Sequence, residues 1–151
     1  MTEAEALAVF GKDLGTWDAE LEIWPTPGAP GMKQKGTAEN RMVGGRWMVM
    51  DFRAESGFEG HGVYGYDAAL GRYVSVWVDG AGGGMARGLG TWDAAARKMT
   101  FESEAAHGGK AVRYREITET IEDGLQIYHH FVPTPDGEHE MIRTTYRRRA
   151  R

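Results

Sequence analysis

Glu116, His129 and Arg143 are the side chains whose types and spacing bring acid–base chemistry within reach. A glutamate and a histidine exchange protons near neutral pH when burial and a neighbouring arginine adjust their proton affinities. Turn chemistry brings the three together. Glu122-Asp123-Gly124-Leu125 reads as a two-residue hairpin loop, because Asp-Gly accepts the positive φ that such a turn demands. Pairing Glu122 with Leu125 sets Thr118 opposite His129 and Glu116 opposite Phe131. Thr134-Pro135-Asp136-Gly137-Glu138 reads as a three-residue loop with Gly137 left-handed, which sets Arg143 opposite His129 and Met141 opposite Phe131. The shared face carries Val112, Tyr114, Glu116 and Thr118 with Leu125, Ile127, His129 and Phe131. It is the more apolar face and is expected to point inward, away from Arg113, Arg115, Glu119, Gln126 and His130. Glu116 and His129 are thus the catalytic candidates. In the blander alternative, the same polar groups satisfy one another or orient a ligand.

A further hairpin, Glu55-Ser56-Gly57-Phe58, puts Phe52 opposite His61 and Met50 opposite Val63. Met48, Met50, Phe52 and Val63 make the greasier face, which sends His61 inward and leaves Trp47, Val49, Asp51, Arg53, Tyr64 and Tyr66 outside. The expected binding wall is therefore Met50, Phe52, His61, Tyr114, Glu116, His129, Phe131 and Arg143. Methionines and aromatics lining a cavity suit a pliable apolar ligand. Plain core packing is the competing reading, since a small barrel can be filled by its own side chains.

Other chemistries find little support. The chain has no cysteine, so disulfides, thiolate metal sites and Cys-based catalysis are excluded. His129 and His130 are adjacent, so on a strand they face opposite ways and cannot share an ion. No cofactor or metal site is expected, with haem or a metal held by His61 or His129 as the alternative. Gly82-Gly83-Gly84 lacks the Lys-Ser/Thr and helix of a phosphate loop, and Gly60, Gly62 and Gly65 lie within a strand rather than at a strand-to-helix junction. The net charge is -4, and the basic tail Arg147-Arg148-Arg149 with Arg151 reads as a solvated end, so no nucleic-acid partner is expected. No apolar run has the length of a membrane span, and the acidic start lacks a signal peptide's pattern. A cytoplasmic location with no membrane partner is expected.

These side chains need a frame. Glu3 to Phe10 is a short helix stopped by Gly11, placing the helical segment at 1–11. Trp17, Ala19, Leu21 and Ile23 then alternate with Asp18, Glu20 and Glu22, as a half-buried strand requires. Pro25, Pro27, Gly28, Pro30 and Gly31 form a loop. Strands follow at about 36–43, 46–55, 58–66, 73–79, 85–92, 99–105, 112–121, 125–132 and 138–147. Short connections make neighbours antiparallel, and no second helix is long enough for a parallel crossover. The expected fold is all-β: one domain over 1–151, with a single up-and-down barrel of about ten strands over 15–147. A barrel is preferred to a sandwich because closure leaves no exposed edge. The 22 glycines sit mostly beside aromatic or β-branched residues, which suits a curved sheet. Gly15-Thr16-Trp17-Asp18-Ala19 recurs as Gly90-Thr91-Trp92-Asp93-Ala94, and the unmatched flanks favour a shared local need over duplication.

Gly15-Thr16-Trp17, Gly44-Gly45-Arg46-Trp47, Phe58-Glu59-Gly60-His61-Gly62, Gly65-Tyr66-Asp67, Trp77-Val78-Asp79, Arg115-Glu116-Ile117-Thr118 and Tyr146 appear in this order. The set resembles the bacterial domain of unknown function 1579 family, which is similar in fold to calycins and lipocalins. The resemblance spans nearly the whole chain after the helix. It implies a barrel with a central pocket, and it implies no established reaction. Where the family pattern usually carries a carboxylate this chain has Arg143, a departure that points to a more anionic, carboxylate-bearing ligand. The expected function is binding of a small apolar or amphipathic molecule in the cavity. One alternative is a cavity enzyme of isomerase, cyclase or hydrolase type. The other is an interaction module in which Trp24, Trp47, Tyr64 and Trp77 form a homodimer or partner surface.

Overall fold

The structure, a computed structural model, describes residues 1–150, the His107 side chain apart; Arg151 of the basic tail lies outside the described residues. Thr2 starts the first helix: its hydroxyl accepts the Glu5 N–H at 3.1 Å while the Glu5 carboxylate accepts the Thr2 N–H at 2.7 Å. The helix α1 spans Glu3–Ala8. Gly11 does not end it; the chain first tightens into a 3₁₀ turn over Val9–Asp13.

Ten strands follow: β1 (Gly15–Ile23), β2 (Met32–Val43), β3 (Trp47–Ala54), β4 (Glu59–Asp67), β5 (Arg72–Asp79), β6 (Ala86–Asp93), β7 (Lys98–His107), β8 (Lys110–Glu122), β9 (Leu125–Thr134) and β10 (Gly137–Arg148). Each pairs antiparallel with the next, and β1 pairs with β10 from Trp17–Arg148 to Ile23–Ile142, so the sheet closes as a barrel. The architecture fits a lipocalin/calycin-like description. Among the described residues, no helix is long and apolar enough to cross a membrane.

Alternation decides which side chains see the axis. On β1, Trp17, Ala19 and Leu21 are buried and Asp18 and Glu20 are exposed. Glycines on the inner wall make room for large rings from neighbouring strands. A Cβ on Gly60 would lie 2.1 Å from Cζ2 of Trp77, and one on Gly90 would lie 2.6 Å from Cε1 of Phe101. Trp77 and Tyr64 therefore face the interior rather than solvent, Tyr64 meeting Phe101 edge-on at 5.9 Å between ring centres. Tyr66 also turns inward, against Tyr73. Trp47 stays on the outer wall, over Gly65.

The barrel has unlike ends. At one, α1 and the 3₁₀ turn form a floor in which Ala6 and Phe10 pack on Met48, Tyr73, Met99 and Phe101. The Tyr73 hydroxyl donates to the Ala6 carbonyl at 2.8 Å. Asp13 latches the floor to three strands. Its carboxylate accepts from Gln126 at 2.6 Å, and its carbonyl accepts from Trp17 Nε1 at 2.9 Å and Asn40 Nδ2 at 2.7 Å. The other end carries the loops 24–31, 80–85 and 135–136, and among the described residues no helix covers it.

Three registers depart from the sequence expectation. The β8–β9 hairpin begins as expected with Glu122 opposite Leu125, but the ladder then slips at Ile121. Thr120 faces Gln126, Thr118 faces Tyr128 and Glu116 faces His130, so all of β9 beyond the bulge is turned over. In β9–β10, Gly137 pairs with Thr134 around a two-residue turn, and a second slip between Glu140 and Ile142 follows. The two changes cancel at Arg143, which does lie opposite His129, whereas Phe131 opposes Glu140 rather than Met141. In β3–β4, the Ala54 N–H bonds the Phe58 carbonyl and Gly57 takes φ 93°, so Asp51 faces His61, Phe52 faces Gly60 and Met50 faces Gly62.

The contact between Gly60 and Trp77 gives a direct test of inner-wall packing. Gly60→Ala should cost about 1–3 kcal/mol in urea unfolding, the usual range for overpacking. In a Trp77→Leu background the same change should cost less, and equal costs in both backgrounds would place the ring elsewhere.

Candidate functional site

The slip at Ile121 assembles a polar cluster at mid-height on the inner wall. Glu116 of β8 sits between Ser103 of β7, whose hydroxyl donates to Oε1 at 2.9 Å, and Tyr128 of β9, whose hydroxyl donates to Oε2 at 2.5 Å. Because the Tyr128 proton is committed to Glu116, its oxygen accepts from Nδ1–H of His130 at 3.1 Å. The Tyr114 ring stacks on His130, centres 4.6 Å apart and planes 15° from parallel. Tyr64 and Tyr146 look toward the same carboxylate from β4 and β10.

Burial governs the electrostatics. It pushes the Glu116 carboxyl above its usual range, against the pull of the Tyr128 and Ser103 donors. It brings His130 down to about 4, so the imidazole is neutral at ordinary pH. It also holds the Tyr64 and Tyr128 hydroxyls well above their ordinary value, with the Glu116 charge second. Across the barrel lie Met50, Phe52 and Trp77 over the glycine wall. Glu116, Tyr114, Tyr128, His130, Tyr64 and Met50 face the axis yet remain only half-buried. Each keeps some accessible surface, on the side of the barrel that no helix covers among the described residues. A separate open recess of about 640 Å³ lies along β1–β3 and includes Asp18, Glu20, Lys35, Arg53, Glu55 and Arg147 of the outer wall, charges of mixed sign in solvent.

Residues 3–148 match the family described as "Protein of unknown function (DUF1579)". The chain belongs to this family. Among solved structures, the crystal structure of Rv2717c from M. tuberculosis is similar over 96% of this chain and 98% of that one, at 14% identity and a TM-score of 0.73. At that identity the likeness is one of fold. A redesigned β-barrel, b11L5F_LGL, covers 99% of this chain and 98% of its own at 14% identity, but a TM-score of 0.39 is too loose to bear on the fold. No curated protein matches the sequence.

In this DUF1579 barrel, four expected wall residues stand on the outside. His129 is held between Glu119, 3.0 Å from Nε2, and Glu140, 3.1 Å from Nδ1. Arg143 forks onto Glu140 at 2.6 and 3.0 Å and lies over the Trp24 ring. Phe131 stacks on His129 and carries the Arg115 guanidinium on its face. His61 bonds Asp51 at 2.7 Å, also outside, with Val63 on the same wall. The Glu116–His129–Arg143 cluster therefore does not form, and Leu125 and Ile127 share the outer face with His129. A haem or metal held by His61 or His129 would sit outside the lumen. The anionic-ligand expectation loses its basis, because Arg143 does not reach the cavity. Among the described residues, no three His, Cys, Asp or Glu side chains are grouped to hold a metal. Met50, Phe52, Tyr114 and Glu116 do face the lumen. Ser103, Tyr128 and His130 are the partners that turn-based registers missed. A buried Glu116 needs donors, and the face holding Tyr128 and His130 supplies more of them than the face holding His129 and Phe131.

The neutral His130 makes a pH prediction. As pH falls below 6.5 the unfolded chain protonates this histidine, while the folded one resists until about 4. Stability present above 6.5 is lost across that window, by about 3 kcal/mol from linkage. Glu116 has the opposite sign: its raised proton affinity stabilises the fold at low pH, and that contribution is lost as pH rises through the folded value. Urea titrations should show His130→Phe flattening the acid decline and Glu116→Gln flattening the loss toward neutral pH. Profiles unchanged in both variants would mean that neither group is buried as described.

Proposed function

We propose that this DUF1579 barrel binds a small molecule with an apolar body and one polar end. The observation that carries the reading is the half-buried surface left on Glu116, Tyr128, His130 and Tyr114 at mid-height inside the barrel. Buried polar groups are costly unless paired, and a lumen that keeps them accessible suits a ligand supplying the last partner. The opposite wall of Met50, Phe52 and Trp77 suits the apolar body, and the floor helix closes the far end behind it. The polar end then docks at Glu116 and Tyr128.

The hydrogen-bonded chain Glu116–Tyr128–His130 favours one second reading, acid–base chemistry on the bound molecule, with His130 in the role expected of His129. Solvent-deuterium uptake into an enolisable apolar ketone would expose it, provided Glu116→Gln or His130→Phe stops the uptake. Exchange that survives both changes counts against it.

For binding, N-phenyl-1-naphthylamine is a suitable neutral fluorescent probe. Saturable uptake at one probe per chain is expected. Thr118→Trp, which fills the inner wall beside Tyr128, should weaken uptake by about tenfold, equivalent to ~1.4 kcal/mol, without changing the circular dichroism spectrum. His129→Ala on the outer wall should leave it unchanged. Uptake that never saturates, or that ignores Thr118→Trp, would sink the proposal.

A further inference from the structure

The interior of the barrel is short of positive charge. Strand alternation sends Arg41, Arg53, Arg87, Arg113, Arg115 and Arg143 to the outer wall, where Arg113, Arg115 and Arg143 hold Glu104, Glu138 and Glu140. Three basic residues reach the floor, and all are engaged: Arg46 pairs with Glu3 of α1. Lys12 bonds the Asp13 carboxylate at 2.7 Å and lies over the Trp92 ring. Arg148 packs over Trp17 and donates to the Lys12 carbonyl and to Asp123. Lys110 stands exposed at the rim. The remaining basic candidate, His130, is neutral. Among the described residues, no cation faces the axis at the height of Glu116.

Glu116 is therefore a buried carboxylate with two hydroxyl donors and no counter-charge. Burial of that kind is costly, and its cost falls when a cation arrives. The surroundings suit a cation in a second way. Tyr128 meets Glu116 with its hydroxyl, the Tyr114 ring stacks on His130 beside it, and Tyr64 and Tyr146 turn inward from β4 and β10. Tyrosine faces attract cations, and rings grouped about an ammonium are a recurrent way of holding one. Asp79 near the rim, which accepts the Trp77 indole N–H at 2.8 Å, adds a second negative group on the facing wall. An incoming carboxylate would meet these charges with nothing to offset them.

We propose that the polar end of the ligand is an organic cation, a protonated or quaternary amine on an apolar body, paired with Glu116 and faced by tyrosine rings. This rests on the lumen being a binding site, and it adds the sign of the head group.

The test uses the intact chain and three probes sharing one apolar tail: decyltrimethylammonium, decan-1-ol and decanoate, measured by calorimetry below their micelle concentrations. The ammonium probe should bind about tenfold or more tighter than decanoate, with the alcohol between them. Glu116→Gln should remove the ammonium preference over decanoate while keeping the wild-type circular dichroism spectrum, and His129→Ala on the outer wall should leave the affinities for all three probes within about twofold. Tyr64→Leu should weaken the ammonium probe more than the alcohol. If the alcohol binds and the ammonium is not preferred, or the preference survives Glu116→Gln, the cation proposal is overturned while lumen binding stands. If none of the three binds, both fail.

Discussion

The ladder between β8 and β9 gains one residue at Ile121, and the contents of the lumen follow from that gain. Side chains on a strand alternate, so a one-residue slip exchanges every inward group for an outward one. Here it puts Tyr128 and His130 inside and His129 and Phe131 outside, and it gives Glu116 the donor that a buried carboxylate cannot do without. The second slip, beside Met141, lets β10 keep Ile142, Thr144 and Tyr146 on the axis opposite this turned-over strand. Bulges also sharpen the local bend, which a closed barrel needs. The same two irregularities thus serve both the curvature and the chemistry.

The strands, their antiparallel order and the need for closure were legible in alternation and turn residues. The inward faces of β3 and β8 were legible too, since Met50 and Phe52, or Tyr114 and Glu116, follow from hydrophobic pattern along one strand. What failed were the faces inferred across the hairpins, although the pairings Glu122–Leu125 and Arg143–His129 hold. Ile121 is β-branched and carries no turn signal, so nothing in its type marks a bulge. Pro135-Asp136-Gly137 fits two loop lengths, and only the pairing of Gly137 with Thr134 chooses between them. Errors of opposite sign then left Arg143 across from His129 as expected, on the wrong face of the wall.

Glycine carried a second meaning that composition hides. Its abundance read as curvature, yet on β4 and β6 it gives aromatic rings somewhere to lie. Trp77 and Phe101 rest on backbone that bears no side chain, which keeps large rings in the wall without closing the lumen. This is also why Tyr64 and Trp77, aromatic and set among exposed-looking neighbours, were expected outside. The wall they complete is apolar on one side of the axis and polar on the other.

Pairing β1 with β10 ties together segments more than a hundred residues apart, including Trp17 with Arg148 and the turn at Asp13 with Gln126. Contacts of such long range are slow to form, because a long loop must be brought to order before they repay it. During synthesis β1 gains β2 early, but its other edge has no partner until β10 has followed, and Asp13 lacks Gln126 until β9 has. Until then β1 is an open edge with an alternating apolar face, the state in which β-proteins are most prone to associate wrongly. Its alternate charges, Asp18, Glu20 and Glu22, supply repulsion along that edge during the wait.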